Sequence, residues 1–140
     1  MKRWIVSAFG IGAAVCATTA YAHHSIAGVY DDSQRVTVEG VITRFQFVNP
    51  HPWVSMEVRD ANGNAQQWTL EMDNRHELVD IGFDNVTLKS GDRIVVTGSP
   101  GRRQPQSLYI RKLERPADGF TYEQIGSSPS ISRPAPRRRN

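Results

Sequence analysis

Two of the chain's four histidines stand side by side, His23-His24, directly after Ala20-Tyr21-Ala22. That placement carries chemistry if the chain is cut between Ala22 and His23. Lys2 and Arg3 form a positive n-region, Trp4 to Ala17 is mostly small or apolar, and Ala20 and Ala22 are the small residues a signal peptidase needs. We therefore expect residues 1–22 to be a signal peptide, and the mature chain to open His23-His24-Ser25 with a free α-amine on a histidine. The amine and Nδ1 of that residue can chelate one metal in a six-membered ring, and a further imidazole completes a T-shaped nitrogen set. Such a set suits Cu(II), which heads the divalent affinity order and favours imidazole in tetragonal geometry. The third nitrogen could come from His24, His51 or His76. The competing reading is a solvated leader that happens to be rich in imidazole.

His51 lies in Asn49-Pro50-His51-Pro52-Trp53. Two prolines restrict that loop and preorganise the ring for a metal or an anionic ligand. Equally, the histidine of a rigid turn can simply bond a backbone carbonyl. Trp53 opposes Val54 and Met56 in parity, so it is either a stacking platform or the rim of the core. Arg102 and Arg103, in a Gly/Pro/Arg loop, could neutralise a carboxylate or phosphate of a ligand or stand solvated. His76 and Asp80 share a helical face as an ordinary surface pair. Met56 and Met72 share parity with core residues, which favours packing over Cu(I) ligation. Glu57 and Glu71 read as outward-facing, and nothing marks them as an acid/base pair. No Ser/His/Asp spacing, phosphate-binding glycine loop or zinc-protease motif occurs.

The elements that must position these residues are mostly strands. After a polar leader over 23–34, Arg35 to Val48 alternates as one long strand whose parity switches around Gly40, as a bulge or bend would require. Trp53 to Arg59 and Ala65 to Met72 flank Asn62-Gly63, the pair favoured in type I′ hairpins. Asn74 followed by Glu77 resembles a capping box, with Leu78, Val79 and Ile81 on one side and Gly82 as the stop, so a short helix is expected. Arg93 to Gly98 and Ser107 to Leu113 complete five strands, with the Ser99 to Pro105 loop between them. The order β-β-β-α-β-β is that of the five-stranded OB barrel. We expect an all-β domain with one short helix, an OB-like barrel over 35–123, rather than an open sheet with a helix packed on it. Residues 124–140 are rich in Ser, Pro and Arg and read as a disordered basic tail.

The formal charge of +3 is segregated. Lys2, Arg3, Arg133, Arg137, Arg138 and Arg139 lie at the two ends, and without them 11 Lys and Arg face 14 Asp and Glu. A mildly acidic body argues against a nucleic-acid partner. The apolar run stops at Thr18, short of the ~20 residues of a bilayer-spanning helix, so no transmembrane anchor is expected after cleavage. Lipidation at Cys16 is disfavoured by Val15 before it. Since Cys16 is the single cysteine, the mature chain would have no disulfide or thiolate site.

His23-His24-Ser25, Tyr30-Asp31, Gly40-Val41-Ile42, Asn49-Pro50-His51, Trp68 and Gly91-Asp92 together resemble an uncharacterised family, a domain of unknown function. Its members are small secreted bacterial proteins with a mature His-His-Ser start and an internal Asn-Pro-His. The resemblance runs from His23 to about Leu113 and implies export and a small β-rich fold, but no activity. The combined expectation is a periplasmic or secreted binding module, not an enzyme. It would bind copper through His23 with His51 or His24. The alternative is an OB-type module holding a peptide, glycan or protein partner through the His51/Trp53 and Arg102/Arg103 loops.

Overall fold

A computed structural model describes residues 26–134. The expected signal peptide, His23 and His24 lie outside the described residues, as do Arg137, Arg138 and Arg139. A helical stretch at 26–29 (α1) precedes β1 (Val36–Gln46), β2 (Trp53–Arg59), β3 (Ala65–Glu71), α2 (Arg75–Asp80), β4 (Arg93–Pro100) and β5 (Ser107–Arg115). Two further strands follow, β6 (Phe120–Ile125) and β7 (Ser128–Ser132).

The strand order is β3-β2-β1-β4-β5-β6-β7, and β3 also pairs with β5. That extra pairing is parallel and sets Thr69, Leu70 and Glu71 beside Ser107, Leu108 and Tyr109. It closes β1 to β5 into a barrel with the OB order and leaves β6 and β7 as a hairpin extending from β5. An open sheet is thereby excluded. Inside, Val54 and Met56 of β2 face Leu70 of β3, Ile94 and Val96 of β4, and Leu108 of β5. The buried Phe83, after α2, packs on the rings of Phe45, Phe47, Phe120 and Tyr122 at centroid distances of 6.0–6.2 Å.

β1 serves both halves of the barrel, pairing with β4 over Val36–Val41 and with β2 over Val41–Gln46. Its parity switch lies at a register shift between Ile42 and Arg44, not at Gly40. Ile42 is therefore core, and Phe45 and Phe47 come onto the inner side after the bulge. Gly40 has a different reason to be glycine. A Cβ there would run into the backbone carbonyl oxygen of Glu57 on the neighbouring β2.

Two other expectations change. The β2–β3 connection is a loop over residues 60–64 and not a two-residue type I′ turn. Among the described residues no non-glycine residue has positive φ, whereas type I′ needs it at both central positions. The Asp60 carboxylate accepts from the Asn62 and Asn64 amides instead, both at 2.9 Å. At α2, Asn74 caps by accepting from the His76 amide at 2.8 Å, and its own N–H donates to Asp73 Oδ1 at 2.7 Å. Finally, the tail is ordered further than its composition implied. Gln124 and Ile125 finish β6, and Ser128–Ser132 pair with it in register, since a strand pairs through its backbone whatever its side chains.

Gly40→Ala should therefore destabilise the fold by about 1–3 kcal/mol, the usual cost of forcing an extra methyl into a packed site. Gly28→Ala, with nothing within 4 Å of the added Cβ, should stay within ~0.5 kcal/mol. Urea unfolding of the two variants checks both.

Candidate functional site

The described part of the leader, residues 26–34, docks on the barrel through Tyr30 while most of its other residues stay exposed. Tyr30 is 3% exposed and bridges Gly101 in the β4–β5 loop. The Asp31 amide donates to the Pro100 carbonyl at 2.8 Å, and the Arg102 amide donates to the Val29 carbonyl at 2.8 Å. Arg102 then clamps the segment with its side chain, Nε donating to the Ala27 carbonyl at 3.1 Å and its guanidinium 3.6 Å from Asp31. Asp32 accepts from Ser99 at 2.8 Å and from Arg111 at 2.7 Å.

A cleft of about 510 Å³ opens where this leader meets the barrel. Its lining includes Ile26, Ala27 and Tyr30 of the leader, His51 of the β1–β2 loop, Asp73 and Glu77 near α2, and Tyr109 and Arg111 of β5. Gln124 and the β6–β7 turn form another wall. Beneath lies a buried polar network. Tyr30 Oη donates to Glu71 Oε2 at 2.7 Å, and Tyr109 Oη donates to Asp73 Oδ1 at 3.3 Å. Gln124 Nε2 donates to Asp73 Oδ2 at 2.6 Å, while its carbonyl accepts from Tyr122 Oη at 3.1 Å. The Tyr30 and Tyr109 rings lie 5.7 Å apart, and the Arg111 guanidinium sits 4.9 Å from the Tyr109 centroid.

Burial, reinforced for Tyr30 by Glu71 and for Tyr109 and Tyr122 by the charge of Asp73, pushes all three phenols above the ordinary tyrosine range. They remain proton donors, and those of Tyr30 and Tyr109 satisfy carboxylates that would be costly to bury alone.

His51 Nδ1 lies 3.0 Å from the Met72 carbonyl and 3.7 Å from Glu71 Oε1. A carbonyl can only accept, so Nδ1 carries the proton and Nε2 keeps its lone pair in the neutral ring. The backbone-carbonyl reading of this histidine is thus met, and it leaves the other nitrogen free for a ligand. Trp53, Arg102 and Arg103 do not line the cleft. Trp53 is half-buried opposite Glu71 in the β2–β3 register, Arg102 is spent on the leader, and Arg103 is exposed. His76 is exposed on α2, and Met56 and Met72 are fully buried. Among the described residues no group of three or more His, Cys, Asp or Glu could hold a metal.

Sequence reasoning singled out none of Asp73, Arg111 and Gln124, while Glu71 read only as an outward-facing strand residue and Tyr30 only as part of a polar leader and a family-like motif. Glu71 and Asp73 are each only 8% exposed. The signal available for them was indirect: a tyrosine in a polar leader, and acidic residues at the end of an otherwise well-patterned strand.

The cleft mouth should respond to acid. Burial raises the Asp32 carboxyl, but the Ser99 hydrogen bond and the Arg111 charge outweigh it and hold it below the usual carboxylate range. Ser33 and Arg102 hold Asp31 low as well. Depressed folded values mean that this stabilisation is present above the unfolded value of 3.8 and is lost as pH falls below it. Amide exchange at Asp31 and Arg102, corrected for intrinsic rates, should therefore accelerate below pH ~3.8 before the barrel amides do. Asp32→Asn should show much of that acceleration already at neutral pH.

Among solved structures, the chain is similar to a small single-stranded DNA-binding protein from Streptomyces coelicolor, with 14% identity and a TM-score of 0.40. That similarity covers 59% of this chain and 90% of the other. No curated protein matches the chain. Residues 12–108 match a family described as a "Family of unknown function (DUF6152)", which spans the leader and the strands up to the start of β5, and the chain belongs to that family.

Proposed function

We propose that this protein is an exported binding module, not an enzyme, and that its mature form holds copper between the amino-terminal His23 and His51. The amine and Nδ1 of His23 form the chelate, and Nε2 of His51 supplies the third nitrogen, with His24 as the alternative donor. One observation carries the reading. The His51 ring lines the cleft with Nδ1 engaged at Met72 and Nε2 left free, and Ile26 and Ala27 line that same cleft. His23 stands three residues before Ile26, and three residues reach about 10 Å. A backbone carbonyl on the far nitrogen is the usual support of a metal-binding imidazole. The lining carboxylates of Asp32, Asp73 and Glu77 against one Arg111 also favour a cation over the phosphates of a nucleic acid.

The OB-type interaction reading is the second candidate, favoured by the size of the cleft, which falls in the range of small-molecule sites. Its proposed loops are weakened by Arg102, which is already bound to the leader.

The exported protein should begin at His23, which its intact mass from the native host would establish. Mature protein with that terminus should bind Cu(II) more tightly than a His-His-Ser peptide. His51→Ala should weaken binding by about tenfold or more and change the electron paramagnetic resonance spectrum. One residue added before His23 should abolish the wild-type spectrum. An unchanged affinity and spectrum in His51→Ala would remove His51 from the site and favour the interaction module.

A further inference from the structure

Closure of β3 on β5 gives every other described strand at least two neighbours, whereas β7 has β6 alone. Its turn fixes which backbone groups are spare. Ile125 and Ser128 pair across Gly126-Ser127. Gly126 has φ of 63°, and among the described residues no non-glycine residue has positive φ, which fits a two-residue type II′ hairpin. The closing pair of such a hairpin is hydrogen-bonded, and bonded pairs then alternate with unbonded ones. Ser128, Ser130 and Ser132 therefore spend their N–H and C=O groups on β6. Pro129 and Ile131 turn theirs away from it, as does Arg133 just past the strand. The proline sits where a missing N–H costs the β6 ladder nothing. Among the described residues this outer row has no backbone partner.

We infer that this edge pairs antiparallel with the β7 edge of a second copy of the chain, about a two-fold axis at Ile131. The pairing does not depend on copper or on His23.

Three observations select that occupant. The outer row is complementary to itself. About that axis the Ile131 N–H and C=O bond those of the partner's Ile131, and the Arg133 N–H meets the carbonyl of the partner's Pro129. The N–H that Pro129 lacks is then missed only at the two ends of the ladder. Next, Ile131 is half-buried, stands opposite the buried Tyr122 and packs against the core. The axis sets it beside the partner's Ile131, so each covers apolar surface that the other leaves open. Finally, β7 reads Ser-Pro-Ser-Ile-Ser and carries no charge. Strands that must stay single are guarded by charges, bulges or proline, and Pro129, the one guard here, shortens the ladder without blocking it. On the exposed face Ser130 meets the partner's Ser132, with no like charges to repel. One short strand pair buries less than the ~1,200 Å² of a stable interface, so the association is weak, with Kd of roughly 10 µM to 1 mM.

Sedimentation equilibrium of the processed protein, without metal and from about 10 µM to 1 mM, should show the mean mass rising from one chain towards two. Over that range the Ile131 and Arg133 amides should gain protection from exchange. The Ser130 and Ser132 amides, already bonded to β6, should not change. Ser130→Lys with Ser132→Lys sets lysine opposite lysine across the axis, and Ser130→Glu with Ser132→Glu does the same with glutamate. Each double variant should self-associate roughly tenfold more weakly, and an equimolar mixture of the two should recover wild-type association or better. Both serines are exposed, thermal unfolding identifies any loss due to misfolding, and the wild-type exchange pattern stays informative if a variant does not fold. A mass that stays at one chain up to about 1 mM overturns the pairing. Association without protection of Ile131 and Arg133, or without recovery in the mixture, overturns it too, because another surface then joins the copies. Protection of those two amides at the mass of one chain means that a segment of the same chain covers the edge, which also rules the pairing out.

Discussion

The parallel contact between β3 and β5 is the constraint on which the rest depends. It is short, joining Thr69–Glu71 to Ser107–Tyr109, yet it turns a meandering sheet into a barrel and removes two exposed edges at once. Closure also creates an outer seam. Along it, Glu71 and Tyr109 stand side by side, and a seam of that kind must be covered or hydrated. The leader covers it, with Tyr30 laid against Tyr109 and hydrogen-bonded to Glu71.

Covering the seam commits the protein to a polar interior outside its apolar core. Glu71 and Asp73 are both nearly buried, and their charges are tolerable only because tyrosine hydroxyls, a backbone amide and the Gln124 amide reach them. The donors come from the leader, β5, β6 and the residue that caps α2. One network thus joins pieces that the barrel alone would leave independent. It also explains why the β6–β7 hairpin is attached at this end: Gln124 links Asp73 to Tyr122, and the turn after it walls the cleft.

The cleft is a consequence of the same geometry. A docked leader, the β1–β2 loop and the β6–β7 turn meet there, and several of the lining groups, Tyr30, Asp32, Asp73, Tyr109, Arg111 and Gln124 among them, already hold hydrogen bonds within the protein. His51 is the exception. Its loop is stiffened by Pro50 and Pro52 and its Nδ1 is engaged with Met72, so its free nitrogen is presented at low entropic cost. Arg102, by contrast, has its donors aimed at the leader, which makes it part of the frame around the cleft and not of its lining.

The sequence by itself determined the elements from β1 to β5 and their order, but not the β6–β7 hairpin. Alternation in Trp53–Arg59 and Ala65–Met72 set which faces turn inward, Asn74 and Gly82 bounded the helix, and strands placed around that helix implied the OB barrel. All of these are encoded within a few residues, by the period of the side chains and by backbone preferences at turns. His51 was legible for the same reason, because two prolines mark its loop locally. The tertiary structure decided what long-range contact decides. Alternation correctly turned Glu71 out of the barrel, but whether outward means solvent depended on Tyr30, 41 residues earlier. The bulge fell at Thr43 because β1 must satisfy β4 and β2 in succession. Composition suggested that Ser128–Ser132 would not fold, yet backbone hydrogen bonding to β6 orders it, since pairing needs a neighbouring strand edge and not an apolar side chain.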